Sequence, residues 1–405
     1  MIAVTQAAGA KNNKSLVILG SSLTALALAR DAYGNKCSPI IFDRIPDIAC
    51  HSRLAHVEPS KNTSEAELIR TITHLGGDRR NLLIATSDYW LNLIVKYREL
   101  LKEAYATVLH PRNNVLRLCL DKKKFALWCQ EHGVTTPAVL ITDRDPVKST
   151  RIYKQLTYPV FLRPSVSSAA LSEDIPKSVE IADANSLDHW LNVFHQKNMN
   201  FILTESLLNH NLTQYSVPLV RTEDRLVSFV AEKIRPLPAQ CSVGTFVALA
   251  PNPEVESLAR QTASLLDYYG IGEVEILHSR DTGENYVIEF NARPWIQYAL
   301  AVKSGHNFLQ ALLADYSDNR DKPVKTGKYW INLGDDLYVC FSRTVGYVRK
   351  RDIRFCDYLK SLLQANVYAI FSWRDLVPFC YAVGRLFNSV TKRGRAPPKA
   401  RSRDR

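Results

Sequence analysis

The sequence has no Cys-x-x-Cys pair, and its eight cysteines lie scattered from Cys37 to Cys380 without paired spacing near a histidine. That pattern excludes a zinc site or a disulfide framework and leaves the reduced thiols of a cytosolic protein as the expectation. Long apolar runs are missing too. The longest uncharged stretch, which contains Pro238 to Pro253, is broken by Pro, Gln, Ser and Asn, short of the roughly twenty apolar residues that a membrane-crossing helix requires. The opening MIAVTQAAGAKNNK lacks the apolar core of a signal peptide. Glycine is scarce where dinucleotide binding would demand it. Gly20 stands alone at the first strand-to-helix turn, where three glycines are needed, although Asp43 lies at a ribose-binding distance. No internal repeat is visible.

What is present is a globular composition, 46% apolar with 9% aromatic residues in 405, enough for two or three lobes with a sizeable core. Charge is unevenly placed. Residues 1–315 carry 33 Lys/Arg against 32 Asp/Glu, whereas residues 316–405 carry 19 against 8. The body is nearly neutral and the end is basic. Residues 391–405, rich in arginine with Pro397 and Pro398, read as an unfolded basic arm. Such an arm can meet anionic lipid, acidic polymer or nucleic acid, or simply solubilise the chain.

Along the chain, Ser15 to Leu19 reads as a buried strand, Leu23 to Ala32 as a helix and Ile40 to Phe42 as a second strand, a βαβ opening. Leu82 to Ala85 adds a strand capped by Thr86, Ser87 and Asp88, and a helix follows from Tyr89 to Ala104. This N-terminal α/β lobe ends near residue 118. Asp121 fits the N-cap of an amphipathic helix, which puts Lys122 in its first turn, against the helix dipole unless an anion lies nearby. Tyr158 to Pro164 is a strand from which Arg163 emerges, and it leads into Ser165, Ser167 and Ser168, small donors suited to closing over phosphates. Phe201 to Glu205 is a strand ending in an acid. Lys233 and Arg235 alternate on one face of a strand beginning at Leu226, and a helix spans Glu256 to Tyr268.

The stretch Tyr286 to Phe308 has the most chemistry. Its first residues alternate, apolar Val287 and Phe290 against Glu289 and Asn291, and Glu289 and Asn291 share one face of a strand, followed by Arg293. Oxygen-bearing side chains two residues apart make a hard-cation site with a cationic partner for phosphate or carboxylate. The same pattern also suits solvated edge-strand residues, so other stretches decide. The turn at Asp281-Thr282-Gly283 joins this strand to Glu273-Val274-Glu275-Ile276 as a hairpin. Glu275 is then brought within about 5 Å of Glu289 and Asn291.

The order of these signals resembles the ATP-grasp superfamily, and its carboxylate–amine ligase branch in particular. The residues that carry the likeness are Asp121-Lys122 with Phe125, Gly133-Val134 with Pro137, Tyr158 to Pro164, Glu205, Lys233 with Arg235, Gly272 with Glu275, and Glu289-Asn291-Arg293. The resemblance covers residues 15–315. It implies an α/β fold, α+β in the grasp lobes: an N-terminal domain 1–118, a grasp domain 119–315 divided into a lid lobe 119–200 and a metal lobe 201–315, then an extension 316–390 and the basic tail. By the resemblance Lys122 and Arg163 contact ATP phosphates, with Ser165, Ser167 and Ser168 in the lid loop and Glu205 at the adenine hinge. Glu275, Glu289 and Asn291 hold two Mg2+ ions, with Mn2+ as a substitute. Lys233, Arg235 and Arg293 act on the γ-phosphate or acyl phosphate.

The sequence also departs from the family. Arg163 replaces the usual lysine, the loop after it has serine for glycine, and no Gly-x-Glu follows the hinge strand, where Asn209 to Gln214 stand instead. The expected activity is joining of a carboxylate to an amine through an acyl phosphate, with release of ADP and phosphate. Competing readings are an inactive grasp scaffold, a kinase and a thioester-forming ligase. Specific nucleic-acid binding is not expected, and oligomerisation is left open. The expected location is the cytoplasm, with a peripheral position at the inner membrane face allowed by the basic end. In residues 316–405 the sequence suggests strands over Tyr329 to Leu333 and Leu337 to Phe341, a basic knot Arg349-Lys350-Arg351 and a helix Asp357 to Gln364.

Overall fold

The computed structural model describes residues 14–59, 64–141, 156–166, 175–176, 178–208, 210–237, 243–313, 328–343 and 346–392. Ser167, Ser168 and the basic tail lie outside them.

The all-apolar runs near the N-terminus form parallel strands, because a strand buried on both faces needs no alternation. These are β1 (Ser15–Leu19), β2 (Ser38–Phe42), β3 (His56–Glu58), β4 (Leu82–Ala85) and β5 (Thr107–Val108), in the order β3-β2-β1-β4-β5. Gly20 has φ +113, and a side chain there would strike Thr86 Oγ1. Ser21 Oγ donates to Asp43 at 2.7 Å, so Asp43 holds this turn. The expected helix from Tyr89 to Ala104 is two helices, Asp88–Lys96 and Arg98–Ala104. Tyr97 leaves the helical path, and both Lys96 and Tyr97 reach Glu65.

A small lobe follows with its own core around Val160, Leu162, Phe194 and Leu203. Its sheet has the order β6-β9-β7-β8, made of β6 (Val139–Ile141), β7 (Val160–Pro164), β8 (Val179–Ile181) and β9 (Phe201–Glu205). β9 pairs with β6 and β7 and so belongs to this small lobe.

The third sheet is the largest. It comprises β10 (Leu212–Arg221), β11 (Leu226–Ser228), β12 (Ala231–Leu237), β13 (Val243–Leu249), β14 (Gly270–Ser279), β15 (Asn285–Asn291), β16 (Tyr329–Ile331) and β17 (Val367–Tyr368). The main order is β15-β14-β10-β12-β13-β16-β17, with β11 on β10. The single strand expected from Leu226 is broken at Phe229, whose ring leaves the ladder to stack on His306 and pack against Trp295 and Phe308. The helix after Asn252 runs Pro253–Leu265, capped by the Asn252 side chain.

Residues beyond 315 are joined to the body, not appended to it. β16 pairs with β13, and β17 with β16. Leu333–Phe341 is a helix, not the strand expected over Leu337 to Phe341. Asn332 donates to Asp335, and Asp336 faces inward, where Arg235 binds both its oxygens at 2.7 and 2.9 Å. Asp375 ties the C-terminal stretch to the first lobe through Arg30, Ser52 Oγ and the Arg53 amide. Among the described residues no helix is long and apolar enough to cross a membrane.

Asp336 is fully buried and Arg235 is 2% exposed. Removing one partner strands the other charge, so Asp336→Ala should lower the unfolding free energy by about 3–5 kcal/mol. Asp357→Ala, at a solvent-screened pair, should leave it nearly unchanged in the same denaturant titration.

Candidate active site

The centre of the site is the β14–β15 hairpin. Its register sets Glu275 opposite Glu289 and Glu273 opposite Asn291, so period-two alternation brings all four side chains to one face. Gly272 allows this approach: a Cβ there would lie 2.9 Å from the Asn291 carbonyl oxygen and 2.7 Å from the Tyr268 hydroxyl. Asn291 Nδ2 reaches Glu273 at 3.2 Å and Glu275 at 3.4 Å. Ser216 on β10 donates to Glu273, and Gln214 donates to Glu275 at 3.0 Å.

Cations arrive from other elements. Lys233 on β12 meets Glu275 at 2.9 Å, with its side chain almost wholly enclosed. Burial works against its ammonium, but Glu275, Glu273 and Glu289 outweigh burial and raise its pKa. Burial is also the main influence on Glu273, whose pKa is raised despite Lys233. The helix Lys122–Glu131 begins at Asp121, whose side chain caps it by accepting from the Lys124 amide, and its first residue binds Glu289. Burial opposes ionisation of Glu289, yet Lys122 prevails and its pKa is lowered, with Arg163 contributing from a distance.

The small lobe contributes backbone. The Lys122 amide donates to the Ser165 carbonyl at 2.7 Å, and Asp121 bridges to Val166. The buried Ser165 hydroxyl has no partner among the described residues. Glu205 ends β9 and accepts from the Ala138 amide at 2.7 Å, pinning the two crossing points of the small lobe together.

Arg293 follows β15 and binds Asp88 at 2.7 Å, from the polar cap after β4. His110 braces the same junction. Its Nε2 accepts from the Ala85 amide at 2.7 Å, which places the ring proton on Nδ1, 3.1 Å from the Ala292 carbonyl. One imidazole therefore links the residue ending β4 to the residue preceding Arg293.

The structure thus gathers Lys122, Lys233, Glu275, Glu289 and Asn291, with Arg163 and Arg293 on the flanks. It gives Arg235 to Asp336 and Ser361 instead of the expected phosphate position. A register irregularity between Lys233 and Arg235 accompanies this parting of the two side chains. Sequence reading missed Glu273, which alternation with Glu275 would have revealed, and the Asp88 partner of Arg293. It also missed His110, whose role has no local signature.

As to a metal, no three acidic, histidine or cysteine side chains form a ready-made cage among the described residues. Two carboxylates and an amide oxygen on adjacent strands nevertheless suit Mg2+, which takes one or two carboxylates and completes its shell from phosphate oxygens and water.

No family model matches the sequence, and no curated protein does. Solved structures do match in fold. N5-carboxyaminoimidazole synthetase from Staphylococcus aureus, complexed with ADP, superimposes with TM-score 0.61 at 15% identity over 76% of this chain and 80% of that one. The biotin carboxylase domain of Hydrogenobacter thermophilus 2-oxoglutarate carboxylase, with magnesium ADP and bicarbonate, gives 0.61 at 14% identity over 79% and 74%. N5-carboxyaminoimidazole synthase from Aspergillus clavatus, with ADP and its aminoimidazole ribonucleotide, gives 0.59 at 15% identity over 78% and 80%. The chain has the ATP-grasp fold.

His110 supplies a pH test. Burial drives its pKa from 6.5 to about 3, with Arg98 adding to the shift. Between those values the unfolded chain binds a proton that the folded chain refuses, so stability is full above 6.5 and falls with acid toward about 3. The loss approaches about 1.4 kcal/mol per pH unit. His110→Gln should decline less steeply between about pH 6 and 4 when unfolding free energy is followed across that range.

Proposed function

We propose that this protein is a magnesium- and ATP-dependent ligase that joins a carboxylate to an amine and releases ADP and phosphate. The observation that supports it most is the pairing of Glu275 with Glu289, with Asn291 beside them and Lys122 and Lys233 lying on the two carboxylates.

In this reading Lys122 and Arg163 bind the ATP phosphates, Ser165 lies in the loop covering them, and Glu205 lies at the adenine hinge. Ser167 and Ser168 are assigned to the same loop by sequence alone. Glu275, Glu289 and Asn291 would hold Mg2+, two ions by the family resemblance with Mn2+ able to replace it, and bound metal would spread the charge of the transferring phosphoryl group. The substrate carboxylate oxygen attacks the γ-phosphorus, the bond to ADP breaks, and an acyl phosphate forms. The amine nitrogen then attacks the acyl carbon, phosphate leaves, and the nitrogen loses a proton, giving the amide. Lys233 and Arg293 supply fixed positive charge where two anions meet, and a closed lid keeps water from the acyl phosphate. Arg235 has a structural role in this scheme.

Glu289→Gln should reduce turnover at least about a hundredfold, since a lost ligand costs several kcal/mol and each 1.4 is tenfold. Near-normal turnover would remove the metal assignment. Arg293→Ala should lower kcat more than it weakens ATP binding. The deciding assay is ADP release from ATP and Mg2+ across pooled carboxylates and amines, with Glu289→Gln as blank. Release that needs both pools and yields a new amide supports the ligase; a stable phosphorylated product without one points to a kinase. Nucleotide binding without turnover points to a scaffold.

A further inference from the structure

The last quarter of the chain has a surface feature that the site above does not use and whose function does not depend on the ligase reading. In the helix Phe355–Gln364, Tyr358 is buried while Phe355, Leu359 and Leu363 are exposed, Leu363 by 88%. These three follow one another at four-residue steps, so they line one edge of the helix. The helix Leu333–Phe341 repeats the arrangement, with Leu333, Leu337 and Phe341 exposed at the same spacing. Phe341 meets Phe355 edge-on with ring centroids 6.4 Å apart and Tyr358 at 5.3 Å, so the stripes join. A continuous apolar surface of this kind marks an interaction site.

Its border is basic. Arg349, Lys350 and Arg351 are exposed in the connection between the helices, and Arg354 and Lys360 flank the second stripe. Of the acids in that span, Asp335 accepts from Asn332, Asp336 is buried on Arg235, Asp352 is exposed beside Arg351, and Asp357 lies between Arg354 and Lys360. No acid lies on either stripe. Residues 316–405 as a whole carry 19 Lys/Arg against 8 Asp/Glu.

We propose that this two-helix face docks on an anionic lipid bilayer. Phenylalanine and leucine on one helix edge with lysine and arginine alongside are what a helix lying in a headgroup region requires: apolar area to insert and cations to meet lipid phosphates. The same charge opposes a second copy of this chain as occupant, because a twofold contact would set like charges against each other. The docked element is the folded helix pair, with the basic tail as an accessory.

The test is cosedimentation of the full chain with phosphatidylcholine vesicles, alone or with about one third phosphatidylserine. Binding should require phosphatidylserine and weaken as salt is raised. Leu359→Glu with Leu363→Glu should weaken it at least about tenfold, as should reversing Arg349, Lys350 and Arg351 to Glu, with the thermal melt unchanged since all five positions are exposed. Replacing Arg393, Arg395, Arg401 and Arg403 by Gln should change binding less than about threefold. The proposal is overturned if neutral vesicles bind equally or no vesicles bind. It is equally overturned if the tail substitutions abolish binding while the stripe substitutions do not. Loss of a dimer on the Leu359 and Leu363 substitutions, seen by analytical ultracentrifugation without vesicle binding, would assign the face to self-association.

Discussion

Everything at the centre of this molecule follows from one constraint: the hairpin register puts Glu273, Glu275 and Glu289 on a single, largely enclosed face. Carboxylates so placed cannot all remain ionised unless cations are delivered to them, since neither water nor the apolar layer beneath can offset their charge. The hairpin has no cation of its own to offer at that face. Lys122 comes from a helix start, Lys233 from two strands away, and Arg293 is aimed by Asp88 of a different lobe. Three parts of the fold are needed to balance one pair of strands. In the proposed ligase a phosphate anion and a metal cation would enter this balance together, each taking over a partner already in place.

What could be read from sequence divides along the range of the interactions. The acids of the hairpin were legible because alternation and a Gly-containing turn are local, and the N-cap of Asp121 followed from its neighbours. Glu273 obeyed the same alternation and was overlooked. The family resemblance puts Arg235 with Lys233 on the substrate phosphate, whereas the bulge between them and Asp336, about a hundred positions onward, lie beyond local pattern. Leu337 to Phe341 reads as a strand because its apolar residues are dense, but it completes the helix Leu333–Phe341, whose direction is decided by Asn332 holding Asp335 and by Asp336 turning inward. His110 works through two backbone atoms, one of them 182 residues away, and nothing in its neighbours announces that.

The attachments between lobes are unequal. The first lobe and the central sheet share one apolar core containing Leu19, Trp90, Phe125 and Phe290, and Asp31 with Tyr298, His110 with Ala292 and Asp88 with Arg293 bridge them. The C-terminal stretch binds both, by Asp375 to the first lobe and by Asp336 to the sheet. The four-stranded sheet keeps a core of its own, the helix start at Lys122 reaches it through the Ser165 carbonyl, and the Val287 amide binds the Thr135 carbonyl on the way to it.

The C-terminal stretch is therefore a strap fastened at two points, at the first lobe by Asp375 and at the central sheet by Asp336. Both fastenings are carboxylates enclosed by protein, so lifting the strap from either side would leave a charge stranded away from water.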